Sequence, residues 1–271
     1  MGSRVTARPF AYIISPNMGK VEDYRRELSQ TSDRVALLRA GSNLPGPRGN
    51  LELMFAAAAE GSEAELRQWL ELGFPAEADG QPTDEFLAMC GIVGLGRLVA
   101  GGRPEFVEEL RSYAADRRWR VREAVAMALQ TVGDADMSML LDITAQWLDD
   151  RPYVQRAAVA AVSEPRLLRD PAGARAAIDV VDAATLNLIE LDDRRSDEAR
   201  TLRQALAYCW SVVVAAEPVY GRQRFEVRAS IADKDVLWLL CENLKKSRLA
   251  RLDPVWTATM QGRVCASGGR S

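Results

Sequence analysis

The sequence predicts an all-α protein in which about five to six antiparallel helix pairs stack into an α-solenoid. From Val21 onward, amphipathic helical patterns follow one another with only short breaks between them. The only short β-like run, FAYIIS, lies ahead of these patterns at residues 10–15. The third observation is an internal repeat. It favours a solenoid, because a helix pair that cannot bury its own apolar face must stack on its neighbours.

The repeat has a period of 34 residues. When RWRVREAVAMAL is aligned with PYVQRAAVAAVS, Trp119 matches Tyr153 and Arg122 matches Arg156. One step upstream, LAMCGIVGLGRL lies 34 residues before VREAVAMALQTV and keeps the pattern of small and apolar residues. Small residues at helical spacing let neighbouring helices approach closely, so we expect tight helix packing in these segments.

The chain is predicted to form one domain. Residues 1–20 are expected to be an extended leader, residues 21–262 a single helical-repeat domain, and residues 263–271 a flexible tail. A loop rich in Pro and Gly at residues 42–50 precedes a helix for which Asn50 is the expected N-cap.

Composition excludes several classes of function. With a formal net charge of -3, the chain does not bind nucleic acid through bulk charge, so any such binding requires a local basic patch. No apolar run reaches the roughly 18 residues of a membrane helix, and we expect a cytoplasmic protein. Histidine is absent, which excludes His-activated nucleophiles and His-ligated metals. We therefore expect neither a metal site nor a cofactor.

The cysteines lack the C-x-x-C spacing of a zinc or thioredoxin-type site. Cys90, Cys209 and Cys241 lie in apolar helical stretches. Free cysteine is one of the most frequently buried residue types, so we expect these three to be buried, reduced thiols.

Each repeat unit reads as a helix, a turn that holds an aspartate (Asp116 or Asp150), and a second helix rich in Ala and Val. The aspartate turn followed by RWRVREAVAMALQTVGD resembles a HEAT repeat, and this resemblance covers about two thirds of the chain. It implies a HEAT-like fold and says little about function.

A narrower resemblance is to the AlkD-type DNA alkylation-repair glycosylases, which are HEAT-like solenoids. Trp119 and Arg122 resemble that family's aromatic-x-x-Arg pair, LAYCWSV with Trp210 resembles a later tryptophan helix, and DVLWLLCENLKKSRLARLDP resembles the last repeat. The family's catalytic aspartate lies about one repeat upstream of the Arg, a position that falls near Leu87 and Ala88 here. The resemblance therefore implies a member that keeps the scaffold and lacks the catalytic aspartate.

The Arg-rich turn around Trp119 is the first candidate ligand-binding site. Arg118, Arg120 and Arg122 surround this tryptophan in the sequence. Arg can bind a phosphate with two hydrogen bonds, and an indole can stack on a base. The alternative is structural: Arg122 and its counterpart Arg156 would pair with the turn aspartates as a ladder between repeats, and Arg118 and Arg120 would be the freer side chains.

Two further features could contribute to the same site. Tyr153, Trp210 and Trp238 could line a groove with Trp119, and we expect Trp210 to face it from a later repeat, although aromatic residues at helical spacing are more often part of the core. Arg48 lies in the loop LPGPRGN, directly before a helix start, where it could help to seat an anion. The alternative for this loop is a rigid turn that caps the solenoid.

Three hypotheses for function follow. The first is a non-catalytic scaffold whose Arg and aromatic cleft binds a nucleic acid or a protein partner. The second is a lyase- or transferase-type enzyme that acts on a small anionic or carrier-bound substrate, with a partner chain to complete its site. The third is an alkylpurine DNA glycosylase, which ranks last because the carboxylate is missing from the expected position.

Overall fold

The computed structural model of the protein describes residues 16–74 and 81–265. Within these ranges the fold is all-α, as the sequence predicts: there are fifteen α-helices, two short 3₁₀ turns and no strand. The β-like run at residues 10–15 lies outside the described residues, as does the loop segment 75–80. Three residues of the expected leader, 18–20, already belong to the first helix.

The described residues divide into two compact units, one up to Leu140 and one from Leu141 onward. The N-terminal unit contains α1 (Met18–Gln30), α2 (Arg34–Gly41), α3 (Leu51–Glu60), α4 (Glu63–Gly73), α5 (Asp84–Ala100), α6 (Val107–Tyr113) and α7 (Trp119–Ala135). The C-terminal unit contains α9 (Pro152–Val162), α10 (Pro171–Glu190), α11 (Asp197–Ala216), α12 (Pro218–Ala229), α13 (Lys234–Leu244), α14 (Ser247–Leu252) and α15 (Pro254–Val264). The boundary falls within α8 (Met137–Trp147).

In the N-terminal unit, alternate helices pack on one another. Helix α3 contacts α1 and α5, and α5 contacts α7, while α2, α4 and α6 lie against α5 or its neighbours. The C-terminal unit repeats this order, since α11 contacts both α9 and α13, and α13 contacts α15. Each unit therefore has a central row of consecutive odd-numbered helices with the connecting helices beside it.

Small residues allow neighbouring helices to approach closely, as expected. A Cβ built on Gly96 of α5 would lie 2.4 Å from the backbone oxygen of Ala128 in α7. A Cβ on Gly73 at the end of α4 would lie 2.5 Å from the backbone nitrogen of Ala88 in α5. Both distances are shorter than any real Cβ contact, so the backbones can meet here only because glycine has no side chain.

Most helix boundaries follow from local sequence signals. The Asn50 side chain accepts a hydrogen bond of 3.1 Å from the Leu53 amide, which confirms the predicted N-cap of α3. The segment DVLWLLCENLKKSRLARLDP, which resembles a last repeat, is divided between two helices, because α13 ends at Leu244 and α14 begins at Ser247. The sequence contains no Gly or Pro at this break to indicate it.

The prediction of a reduced thiol at Cys241 is wrong. Cys241 of α13 forms a disulfide with Cys265, which directly follows α15, and their Cα atoms are 5.3 Å apart. Cys90 and Cys209 are buried free thiols, as expected. The predicted tail begins at residue 263, inside α15, and its residues after Cys265 lie outside the described chain.

No α-helix in residues 16–74 or 81–265 has both the length and the apolar character that crossing a membrane would require.

Candidate functional site

Trp119 is the exposed aromatic residue at the start of α7. Its side chain is 48% exposed, although the Arg120 guanidinium lies over its ring with Cζ 4.7 Å from the ring centroid. Arg120 in turn donates hydrogen bonds of 3.0 Å to Glu85 and 2.9 Å to the backbone carbonyl of Gly46. Three groups from three segments therefore fix the orientation of Arg120, and Arg120 supports the indole.

The Arg120 contacts correct the expectation that this side chain is free. Its charge is neutralised by Glu85 at the start of α5, and both side chains are largely buried. The hydrogen bond to Gly46 also joins the loop at residues 42–50 to the start of α7. Arg120 is thus a positioning residue for Trp119 and for this loop.

Two arginines close in sequence to Gly46 and Trp119 have guanidinium groups that form no ion pair or hydrogen bond with the described residues. Arg48 lies two residues after Gly46, which is within about 7 Å along the chain. Arg117 precedes Trp119 by two residues. Both are exposed, and neither guanidinium has an ion pair or hydrogen bond within the part of the chain that the structure describes. We call Arg48, Arg117, Trp119 and Arg120 the Trp119 surface.

Arg118 is a structural residue and not part of this surface. Its Nε and Nη2 donate to the two carboxylate oxygens of Asp116 at 3.0 and 3.1 Å, and its Nη1 donates to the Gly73 carbonyl at 2.8 Å. Its guanidinium also lies 4.3 Å from the ring centroid of Phe74. The expectation that Arg118 is one of the freer arginines is wrong, because the aspartate that was expected to pair with Arg122 binds Arg118.

The contacts of Arg122 and the burial of its counterpart Arg156 do not favour a ligand-binding role for either residue. Arg122 donates hydrogen bonds of 2.6 and 3.0 Å to the backbone carbonyls of Asp116 and Arg117, which ties the turn to the first part of α7. Arg156 is buried, and Tyr153 is half-buried at the start of α9. Arg122 therefore stabilises its turn, and Arg156 is enclosed by the packing of the C-terminal unit.

Trp210 is a core residue rather than the wall of a cleft. It is fully buried in the C-terminal unit, where its indole N–H donates a 3.0 Å hydrogen bond to Thr185. Its ring also meets Phe225 edge to face at a centroid distance of 5.8 Å. The expectation that Trp210 faces a ligand is wrong, because α10 and α12 cover the side of α11 that carries this residue.

The two acidic residues at the start of α5 are held in ion pairs. Asp84, the first residue of α5, accepts hydrogen bonds from Arg39 at 2.9 Å and from the Gln81 amide at 2.9 Å. Its neighbour Glu85 pairs with Arg120. Both carboxylates are therefore engaged by guanidinium groups.

Two other potentially reactive groups are held in their protonated forms at neutral pH. Burial raises the pKa of the Cys90 thiol well above its usual value, so it is a neutral thiol. Burial and the neighbouring Glu109 carboxylate raise the pKa of the Tyr113 hydroxyl well above its ordinary range. Among the described residues, no group of three or more Cys, Asp or Glu side chains is placed to hold a metal ion.

Sequence reasoning missed a second group of charged and aromatic residues in the C-terminal unit. Arg194 of the α10–α11 connection and Arg203 of α11 pair with aspartates at the start of α13. Nearby on α13, Trp238 is 41% exposed, and Arg203 Cζ lies 5.1 Å from its ring centroid. Trp238 was noted in the sequence, but nothing indicated its cationic neighbours. The signal that could have found them is the run DDRRSD, which places two arginines between acidic residues ahead of a helix.

The Asp116 turn gives a first test of this description. We expect Asp116→Ala and Asp150→Ala each to lower the free energy of unfolding by about 1–3 kcal/mol, because each carboxylate accepts a hydrogen bond from the backbone of its turn. Urea denaturation measures the loss. Asp23→Ala is the matched control, since its ion pair with Arg26 on α1 is largely exposed to solvent, and we expect it to cost less than about 0.5 kcal/mol. Unchanged stability of both turn variants would contradict the assignment.

No family model, curated protein or solved structure matches this chain. The case for a function therefore depends on the residues of these two groups.

Proposed function

We propose that this chain is a HEAT-like binding scaffold whose N-terminal unit binds single-stranded nucleic acid at the Trp119 surface. The observation that supports this most strongly is an exposed indole, held from beneath by a fixed guanidinium and flanked by two arginines that form no ion pair with the described residues. A base would stack on the open part of the Trp119 ring, and the adjoining phosphates would contact Arg48 and Arg117.

The HEAT-like arrangement belongs to the same proposal. In both units, consecutive odd-numbered helices pack on one another, which is the neighbour relation expected when helix pairs stack. The 34-residue offset between Trp119 and Tyr153 agrees with it, because α7 begins at Trp119 and α9 begins at Pro152. We propose about five to six such pairs in the chain, stacked on one another within each unit.

The expected free energy of base stacking and the expected salt dependence favour a single strand over a duplex as the ligand. Stacking of one base on an aromatic side chain stabilises a complex by about 1–3 kcal/mol and needs an accessible base face, which a duplex does not offer. Two phosphate contacts predict a weak salt dependence, with a slope of log K against log salt of about -1.4. This modest electrostatic contribution fits a chain whose formal net charge is -3.

The proposal is tested by fluorescence anisotropy with a labelled single-stranded oligonucleotide at low salt. We expect Trp119→Ala to weaken binding about tenfold or more. Arg48→Gln and Arg117→Gln should each weaken binding and reduce the salt slope by about 0.7. The matched control is Arg26→Gln, an exposed arginine of α1 whose loss should change nothing. Equal binding by Trp119→Ala and the parent would refute the proposal, and capture of a protein partner at this surface would replace it.

Glycosylase activity is expected to be absent. We predict no release of N3- or N7-alkylpurines from alkylated duplex DNA. The position that corresponds to the family's aspartate lies among the buried apolar residues Leu87 and Ala88, and the nearby Asp84 is bound to Arg39. Chromatography of free bases after incubation measures this, with heat depurination of the same substrate as the positive control. Release above the protein-free background would restore the glycosylase hypothesis.

A further inference from the structure

A small cavity in the C-terminal unit is lined by charged side chains. Its volume is about 290 Å³, near the lower limit of small-molecule sites. The connection between α10 and α11, the second turn of α11 and the start of α13 form its walls. The lining residues are Asp192, Asp193, Arg194, Arg195, Arg203, Lys234 and Asp235.

Some of these charges already neutralise one another. Arg194 donates hydrogen bonds of 2.6 Å to Asp233 and 3.3 Å to Asp235, and Arg203 also pairs with Asp235. Asp233 additionally accepts from the Asp235 and Val236 amides, so it caps α13. Burial opposes ionisation of Asp233, but Arg194 and these amides outweigh it and hold the pKa of Asp233 below its usual value. These pairs shape the cavity wall, and Asp233 occupies the Asp235 and Val236 amides at the start of α13.

Other charges in the cavity have no counterpart. The side chains of Arg195 and Lys234 are exposed, and within residues 16–74 and 81–265 neither makes an ion pair or a side-chain hydrogen bond. They come from different segments and line the same cavity. Two cations that line one cavity and form no ion pair with a described carboxylate suit a dianion such as a phosphate monoester.

An aromatic surface adjoins the cations. Trp238 follows Lys234 by four residues, so both side chains lie on the same face of α13. Arg203 links Trp238 to the cavity, because it lines the cavity and stacks on the Trp238 ring. Asp192 and Asp193 are exposed carboxylates of the same lining, and Asp192 can accept hydrogen bonds from hydroxyl groups.

We propose that this cavity binds a mononucleotide. The phosphate monoester would lie between Arg195 and Lys234, a ribose hydroxyl would donate to Asp192, and the base would pack on Trp238. The two cations match the phosphate, the carboxylate acceptor matches the ribose hydroxyl, and the flat indole matches the base. The inference goes beyond nucleic acid binding at the Trp119 surface and depends on residues of the C-terminal unit alone.

Calorimetric titration of the full chain with adenosine 5′-monophosphate, adenosine and inorganic phosphate tests the proposal. We expect the nucleotide to bind and adenosine to bind at least tenfold more weakly, because it lacks the charged hydrogen bonds. Arg195→Gln with Lys234→Gln should weaken nucleotide binding about tenfold or more. Trp238→Leu should weaken the nucleotide and leave phosphate binding unchanged. Failure of the parent to bind the nucleotide, or equal binding of adenosine, would overturn the proposal.

Two controls separate this site from other cationic surfaces. Arg200→Gln removes an exposed arginine of α11 that pairs with Asp197 and does not line the cavity, and it should bind the nucleotide as the parent does. Trp119→Ala should also bind it normally, even if that variant loses the oligonucleotide. Loss of nucleotide binding in Trp119→Ala but not in Trp238→Leu would assign the nucleotide to the other surface and refute this one. A 5′-phosphorylated oligonucleotide in the same titration distinguishes a strand end from a free nucleotide as the source of the phosphate.

Discussion

Asp182→Ala is expected to lower the free energy of unfolding by about 3–5 kcal/mol. Asp182 lies in the middle of α10 with only 2% of its surface exposed, and its two carboxylate oxygens pair with Arg224 and Arg228 of α12. Removing the carboxylate leaves the largely buried Arg228 guanidinium and the partly exposed Arg224 guanidinium without an anion. The penalty of an uncompensated charge is larger than the net contribution of the intact pair, so the loss exceeds that of a surface ion pair.

The same two helices provide a matched control. Asp179 lies one turn before Asp182 on α10, is exposed, and accepts a 2.6 Å hydrogen bond from the Tyr220 hydroxyl of α12. We expect Asp179→Ala to cost no more than about 1 kcal/mol, because water replaces the lost partner. Urea denaturation of the two variants measures the difference. Equal losses would show that Asp182 does not act as a buried counterion.

Loss of the disulfide is the second large effect expected. Reduction of the bridge, or Cys265→Ser, should lower the free energy of unfolding by about 2–4 kcal/mol, since Cys241 and Cys265 close a loop of 24 residues that holds α14 and α15. The main cause is the greater conformational freedom of the unfolded chain once its ends are released.

Thiol counting and denaturation together check the bridge. In the unfolded, unreduced protein, two of the four cysteines should react with maleimide, namely Cys90 and Cys209. A reductant should destabilise the parent and leave Cys265→Ser unchanged. Four reactive thiols would contradict the bridge. Disulfides are typical of oxidising compartments. In the cytoplasmic location that the sequence predicts, the Cys241–Cys265 bridge must therefore resist cytoplasmic reductants.

The helical architecture could be predicted because its signals are local. The Asn50 cap, the proline at the start of α9 and the glycines of α5 each act within a few residues or on the neighbouring helix. The break between α13 and α14 could not be predicted, because no residue at Lys245 or Lys246 opposes a helix by itself. Tertiary packing of α14 against α11 and α15 sets that boundary.

The site was less predictable because its contacts are distant in sequence. Arg120 is fixed by the carbonyl of Gly46, 74 residues away, and nothing in the Arg-rich turn distinguishes it from Arg118. Trp210 and Trp238 both occur in apolar helices, and only the packing of α10 and α12 decides that the first is buried and the second exposed. Similarly, Cys241 and Cys265 share no spacing motif.

The central claim is that a nucleic-acid base stacks on Trp119, and photocrosslinking tests it most directly. A single-stranded oligonucleotide that contains 5-iodouracil is bound to the full chain, irradiated, and the crosslinked peptides are identified by mass spectrometry. We predict crosslinks at Trp119, lost in Trp119→Ala, with the Arg26→Gln control unaffected. Crosslinks confined to other parts of the chain, with Trp119 unmodified at saturating oligonucleotide, would contradict the claim.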